Sequence, residues 1–522
     1  MDERRRTTLF LAAITLLGFG LRLTLLNSHP FREDEAIYSF WARHAWPGDP
    51  LFLTVWPDKP PLFIWLLAIA FRIFGPVEAS ARWLNIAAST LTIPVVAVMA
   101  RTLWSRAAWR EQVALLAGLA MALNPFAISF APTAFTDPML VFFGSLALLM
   151  ALRTRLFWAG LWLGAAIMTK QQGLLHLPLI AGAGWIAASK ETDSFVKTRF
   201  LALHFLAGAA LVILPILYWD SLRWAVAPSP WDLGVQHYGG LSLAPPGEWF
   251  ARAQAWAALV WQLGGSWLVW GGLAGLWAFH GWRRRTRSFA DGPGANSRGA
   301  AAWGWTLLWA GGFLIVHIVT TVQVWDRYLL PLAPVMALFS GWTLAATLAD
   351  VAPRPRTIAV SLAAFLLLFP AWSAAQGRTP MGGDHGAYDG LREAIAWVRA
   401  AAPEEAILYH RELGWDYQFY LFDEVRTGRY ALRWFANATA LADDVTKHPY
   451  PRAFYIQPDW APLSDNARQL PVRGIERVEV ARFGRMTVYE LRNRDTGFCD
   501  WCFCRETARE LGTAGGRFAA FP

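Results

Sequence analysis

Charge is what this chain of 522 residues has least of: only 16% of it is Asp, Glu, Lys or Arg, well below the roughly 25% of ordinary soluble domains. With 55% apolar residues, 31 Trp and 33 Phe, that scarcity excludes a simple soluble domain and predicts a polytopic membrane protein. Cysteine is nearly absent too. Cys499, Cys502 and Cys504 all fall in "CDWCFC" near the C-terminus, so the apolar body holds no disulfide framework, and without a partner cluster the three read as an incidental tail. No internal repeat is visible. The net charge of +9 forms no basic stripe with interleaved aromatics, which excludes a nucleic-acid surface. The basic residues instead cluster between apolar runs, as orientation signals do.

Eleven apolar segments have about the length of a span: 8–27, 82–104, 113–131, 138–152, 156–169, 173–189, 200–220, 256–280, 302–321, 328–348 and 357–374. The first follows "MDERRR" without a convincing cleavage site and reads as a retained span. Alternate loops then carry eighteen Lys and Arg on one side against eight on the other, although the second set is longer. Because positive residues stay in the cytoplasm, this bias predicts a cytoplasmic N-terminus and an outer-face C-terminal domain. The expected architecture is a polytopic α-helical membrane domain over 1–374 with about 11 transmembrane helices and a large first outer loop at 28–81. A small α/β soluble domain over 375–493 and an irregular tail over 494–522 follow. Within the first loop, "PPLFIWLLAIAFRIFG" is too short to cross and reads as a helix at the interface. In the last domain, "LREAIAWVRA" has helical periodicity, while "AILYH", "PRAFYIQ" and "MTVYELR" read as strands.

The outer face collects the charges that matter. Asp34 and Glu35 emerge in "FREDEAIYSFWAR" after the first span, Asp137 opens a later span in "FTDPML", and Lys59, Lys170 and Arg327 lie at the same depth in "DKPPL", "MTKQQGLL" and "VWDRYLLPLAP". Ionisable groups at the hydrocarbon edge are costly unless paired or used. Pairing of acids with bases to tie loops together is the structural alternative. The functional reading is that Lys and Arg grip a phosphate while a nearby carboxylate takes a proton from an attacking hydroxyl. The Trp residues of the first loop, Trp41, Trp46, Trp56 and Trp65, read first as an interfacial belt.

These motifs in this order, from about Arg22 to Pro334, resemble the glycosyltransferase family 39 type, the GT-C class that includes protein O-mannosyltransferases and the lipid A aminoarabinose transferase. The resemblance implies an inverting transfer of a sugar from a polyprenyl-phosphate donor to a lipid, glycan or protein acceptor on the outer face of the cell inner membrane. By that resemblance the catalytic acids are Asp34, which acts as general base or orients the acceptor, and Glu35 and Asp137, which orient acceptor or base, while Lys59 and Lys170 hold the donor phosphate and Arg327 and Tyr328 form a basic-aromatic pair near the donor. It also draws attention to Asp58 and His237, since the aminoarabinose transferase binds a metal through an acid before the first-loop lysine and a later histidine. No Arg follows His237 at the family's spacing, and two protein ligands make an incomplete site. The expectation is no resident metal and no other cofactor, with a divalent ion as the alternative. Arg22 and Arg82 are expected to neutralise the acidic cluster. A transporter or lipid flippase is the rival class; it predicts charges inside the spans and an inverted repeat.

Overall fold

The computed structural model describes residues 3–46, 48–189, 195–286, 297–349, 351–379, 386–448, 451–463 and 468–493. The tail with its three cysteines lies outside them. The chain forms α1 (Glu3–Leu23), α2 (Glu33–Ala45), α3 (Leu62–Phe74), α4 (Glu78–Leu103), α5 (Arg110–Ala122), α6 (Pro125–Phe130), α7 (Asp137–Leu152), α8 (Leu156–Thr169), α9 (Leu177–Ala188), α10 (Phe195–Arg223), α11 (Pro230–Tyr238), α12 (Trp249–Gly264), α13 (Trp267–Thr286), α14 (Ser297–Val319), α15 (Ala333–Leu348) and α16 (Pro353–Ala375) before its C-terminal domain. Two compact units result. One holds residues up to Ser28 and Trp41–His385; the other holds His29–Phe40 together with the chain from Gly386 on. The division falls inside α2.

In the first unit, six helical stretches among the described residues are long and apolar enough to cross a membrane: Glu3–Leu23, Glu78–Leu103, Arg199–Arg223, Arg298–Val319, Asp326–Leu348 and Arg354–Ala375. The other apolar segments are shorter helices or are broken. The segment 113–131 divides where Asn124 caps α6, its side chain accepting the Ala127 N–H at 2.9 Å with Pro125 at the first helical position. The segment 256–280 divides at Gly265, which adopts φ +75° and is packed so tightly that a Cβ would lie 2.5 Å from Pro370 and 2.9 Å from Pro125. Helix α3 has 13 residues, about 20 Å of rise, and does not reach across a hydrocarbon core of about 30 Å.

Glycine sets the closest helix contact. At Gly160 in α8 an added Cβ would sit 1.9 Å from the Phe205 carbonyl oxygen, and at Gly208 in α10 it would sit 1.9 Å from that of Phe157. The two backbones therefore touch, as small residues permit where burial from water no longer drives association. Arg22, expected near the acidic cluster, is instead fully buried and spends its guanidinium on backbone. It donates to Ser89 Oγ at 2.8 Å and to the carbonyls of Gly18, Ala122 and Met121 at 2.9–3.0 Å, satisfying the orphan carbonyls at the end of α5. Arg82 donates to the Leu26 carbonyl at 2.9 Å and lies 3.6 Å from Glu78.

The second unit is a three-layer α/β/α domain. Its sheet has the order β2-β1-β3-β5-β4, from β1 (Ala406–His410), β2 (Tyr430–Trp434), β3 (Ala453–Pro458), β4 (Ile475–Phe483) and β5 (Met486–Asn493). The first three strands are parallel and the last two antiparallel. Alternation divides the faces: Leu408, Phe454, Ile456 and Val488 pack under Leu391, Ala394, Ile395 and Val398 of a helix spanning Leu391–Ala401, whereas Ile407, Tyr409 and Tyr455 face Leu441, Ala442 and Val445 of a helix spanning Ala438–Lys447.

The α8–α10 contact gives a direct test. Gly208→Ala should lower the thermal midpoint of the detergent-solubilised chain, with an overpacking cost of about 1–3 kcal/mol. Gly304→Ala, where an added Cβ meets nothing, should leave the midpoint unchanged or slightly raised.

Candidate active site

The acidic motif and the cations fall in different compact units. In the second unit, Glu33, Asp34 and Glu35 form the first turn of α2, where the positive end of the helix favours carboxylates. Glu35 is buried and reaches back so that its Oε2 accepts the Arg32 N–H at 3.3 Å, half of a capping box. Ala36 N–H closes the first helical turn on the Arg32 carbonyl at 2.9 Å. Asp34, between them, is half-buried.

The first unit gathers the rest. Asp137 opens α7 ahead of Pro138, and the turn before it is fixed by Asn85, whose Nδ2 donates to the carbonyls of Thr133 at 2.7 Å and Phe135 at 2.6 Å. The Asp137 carboxylate takes the Lys170 ammonium at 2.5 Å, with both residues buried. Lys170 Nζ also lies 4.3 Å from the centre of the Tyr328 ring. Arg327 packs its guanidinium 4.9 Å from the Phe135 ring, on the same turn that precedes Asp137. The charges of Arg327 and Lys59 are close enough to act on Lys170. Asp137, Lys170, Arg327 and Tyr328 are thus brought together, with Lys59 in electrostatic range.

Lys59 has its own set of partners. Its Nζ donates to Asp58 Oδ1 and to the Tyr238 hydroxyl, both at 2.9 Å, and Tyr238 donates in turn to Asp58 Oδ2 at 3.0 Å. His237 Nδ1 lies 3.2 Å from the same Oδ2. Both come from the last turn of α11, a helix started by Ser229 as N-cap and ended by Gly239 at φ +72°. Burial alone would raise the Asp58 pKa, but the bonds from His237, Lys59 and Tyr238 and the Lys59 charge outweigh it and bring it down to about 2. Asp58 and His237 supply two protein donors to a divalent ion, an incomplete set. Among the described residues no three His, Cys, Asp or Glu gather as a metal cluster.

One turn joins these parts. After α8 the backbone at Lys170 becomes extended and then enters a 3₁₀ helix at Gln171–His176. Lys170 reaches Asp137. Gln171 Nε2 donates to the Asp58 carbonyl at 2.8 Å and the Pro230 carbonyl at 3.4 Å. Gln172 Nε2 donates to the Tyr328 carbonyl at 3.2 Å and lies 3.2 Å from His317 Nε2, which accepts because Nδ1 donates to the Phe313 carbonyl at 2.8 Å. With three residues per turn, Gln171 and Gln172 leave the 3₁₀ helix about 120° apart and Lys170 precedes them on extended backbone, so three neighbours in sequence hold three different segments. Gly173 lets the turn close: a Cβ there would lie 2.6 Å from the backbone of Ala166 and Ile167. Sequence reasoning passed over Gln171, Gln172 and Tyr238. The "KQQG" run and the aromatic beside His237 were the signals.

Two outcomes test the electrostatics. Lys170→Met strands a buried carboxylate and should destabilise the chain by about 3–5 kcal/mol, most of which the double variant Asp137→Asn/Lys170→Met should recover in thermal unfolding. Asp58 contributes stability that is present above its unfolded pKa near 4 and is lost as pH falls through about 2. Asp58→Asn should therefore cost about 2 kcal/mol equally at pH 5 and pH 8, and the cost should shrink only below about pH 4.

Comparison with known proteins bears on the fold. Residues 58–219, which include Asp58, Lys59, Asp137 and Lys170, match the family model for dolichyl-phosphate-mannose-protein mannosyltransferases. None of the curated proteins matches the chain by sequence. The structure is similar to that of ArnT from Cupriavidus metallidurans bound to undecaprenyl phosphate, with a TM-score of 0.62 and 17% identity over 94% of this chain and 98% of that one. The apo form of the same protein gives 0.63 over the same coverage. The Archaeoglobus fulgidus oligosaccharyltransferase in its apo form gives 0.52, with 13% identity over 86% of this chain and 69% of that one. The chain therefore shares the fold of ArnT, has helices long and apolar enough to cross a membrane, and matches the dolichyl-phosphate-mannose-protein mannosyltransferase model over residues 58–219.

Proposed function

We propose that the chain transfers a sugar from a polyprenyl-phosphate donor to an acceptor hydroxyl, with inversion at the anomeric carbon. The observation that carries this reading is the gathering of Lys59, Lys170, Arg327 and Tyr328 around two buried carboxylates within one unit of a GT-C fold. The undecaprenyl phosphate bound in the ArnT structure has the anionic head such a cluster suits. In the reaction the bond from the anomeric carbon to the phosphate oxygen breaks, a bond to the acceptor oxygen forms, and the acceptor proton passes to Asp34. Lys59, Lys170 and Arg327 stabilise the charge that grows on the departing phosphate. An ammonium has three protons to give; Lys170 gives one to Asp137, which fixes its position and keeps it charged. Glu35 secures the start of the helix that carries Asp34.

The membrane assignment follows from the apolar helices; the finer placement is part of the proposal. The charge bias of the loops supports a cytoplasmic N-terminus, with the C-terminal domain and the reaction on the outer face of the cell inner membrane. The acceptor is a lipid, glycan or protein there. We propose no resident metal, since Asp58 and His237 alone make an incomplete ligand set and among the described residues no third His, Cys, Asp or Glu joins them.

The test is release of free polyprenyl phosphate by purified chain from a labelled panel of polyprenyl-phosphate sugars. Wild type should release it, Asp34→Asn should lose at least a hundredfold in turnover, and EDTA should change nothing. Retained activity in Asp34→Asn would remove the base assignment. Loss with EDTA, restored by a divalent ion, would overturn the metal-free reading. Lipid movement between leaflets without any sugar release would favour the flippase.

A further inference from the structure

The acidic segment does not pack where its place in the chain suggests. Residues His29–Phe40 form one compact unit with the C-terminal domain, more than three hundred residues later in sequence. The anchors lie on both sides of Asp34 and Glu35. On the N-terminal side, Arg392 Nη2 donates to the His29 carbonyl and His29 Nδ1 lies 3.5 Å from Asp389. Phe31, fully buried, donates its backbone N–H to the Tyr420 hydroxyl at 2.9 Å, and its ring centre lies 4.8 Å from that of Phe419. On the C-terminal side, the Phe40 ring sits 5.8 Å from Trp415 and 6.2 Å from Phe422.

Four of these partners, Trp415, Phe419, Tyr420 and Phe422, come from one aromatic run, "GWDYQFYLF", in the helices Gly414–Tyr420 and Phe422–Arg426. That run follows the carboxyl end of β1, the edge where parallel sheets place their functional loops. Its aromatics pack on Phe31, just before α2, and on Phe40 within it. A buried N–H needs a partner, so the Tyr420 hydroxyl fixes the height of Phe31, and the ring contacts fix the rotation of the helix that starts two residues later.

We infer that the C-terminal domain is the holder of the general base: Tyr420 and Phe419 are positioning residues that act through α2 on Asp34. This rests on the assignment of Asp34 as base. Proton transfer tolerates only a few tenths of an ångström of misplacement, so a loosened segment costs turnover while the donor site is untouched.

The experiment uses full-length purified chain with Tyr420→Phe, Phe419→Ala and, at an exposed position of the same domain, Val472→Ser. Four quantities are measured: turnover and donor KM in the release assay, binding of undecaprenyl phosphate, and hydrogen exchange of the amides in 31–40. Tyr420→Phe should lower kcat about tenfold and Phe419→Ala more. Donor KM and undecaprenyl phosphate binding should change less than twofold, exchange in 31–40 should quicken, and Val472→Ser should match wild type. Adding Tyr420→Phe to Asp34→Asn should cause no further loss. Unchanged exchange in 31–40 overturns the inference without reference to turnover. So does a wild-type kcat in both variants, or a loss of lipid binding as large as the loss of kcat. An active Asp34→Asn alone would instead remove the base assignment on which the inference rests.

Discussion

A lysine ammonium taken out of water has to be given a carboxylate, and the Asp137–Lys170 contact is the constraint on which the first unit's site depends. Each partner is fixed from a different direction. Asp137 sits at the start of a helix whose preceding turn is held by Asn85, and Lys170 sits where one helix ends and a tighter one begins. Once Lys170 is placed, Gln171 and Gln172 are placed with it, and they hold the Asp58 loop and the Tyr328 turn. Moving that one turn would displace every cation in the cluster. A buried ion pair contributes little net stability, so its retention is better explained by the position it enforces than by the energy it adds.

The same logic accounts for Lys59. Its carboxylate partner is the preceding residue, a pairing too local to brace anything by itself. The brace comes from α11, which brings His237 and Tyr238 to Asp58, and from Gln171, which takes the Asp58 carbonyl. Gly234 permits that approach: a Cβ there would meet Gln171 Nε2 at 2.9 Å and the Asp58 carbonyl oxygen at 3.3 Å. Two lysines distant in sequence are therefore held by one 3₁₀ turn.

Much of this was legible before any coordinates, for physical reasons. Charges at the ends of apolar runs stand out because the hydrocarbon tolerates so few, which exposed Asp137, Lys170 and Arg327. Strands such as Ala406–His410 and Met486–Asn493 announce themselves by β-branched and aromatic content. What was hidden depended on contacts rather than composition. The break at Gly265 lies within an apolar run that reads as continuous, and it becomes visible only when Pro125 and Pro370 press on it. The strand Ile475–Phe483 carries Glu476, Arg477, Glu479 and Arg482 among its nine residues, which blurs the apolar alternation, and Tyr430–Trp434 is only five residues long. Arg22 looked like a counter-ion because a guanidinium near carboxylates is the common case, yet its donors are consumed by carbonyls at the end of α5.

The division of the Glu33–Asp34–Glu35 motif from Lys59, Lys170 and Arg327 is the least expected feature and suits the role proposed for each group. Cations that hold a phosphate benefit from a rigid, desolvated frame, and helices whose backbones touch at Gly160 and Gly208 are part of such a frame. A base that must meet a hydroxyl benefits from being carried with whatever surface recognises the acceptor. Packing residues 29–40 against the aromatic run after β1 ties the segment that carries Asp34 to the C-terminal domain.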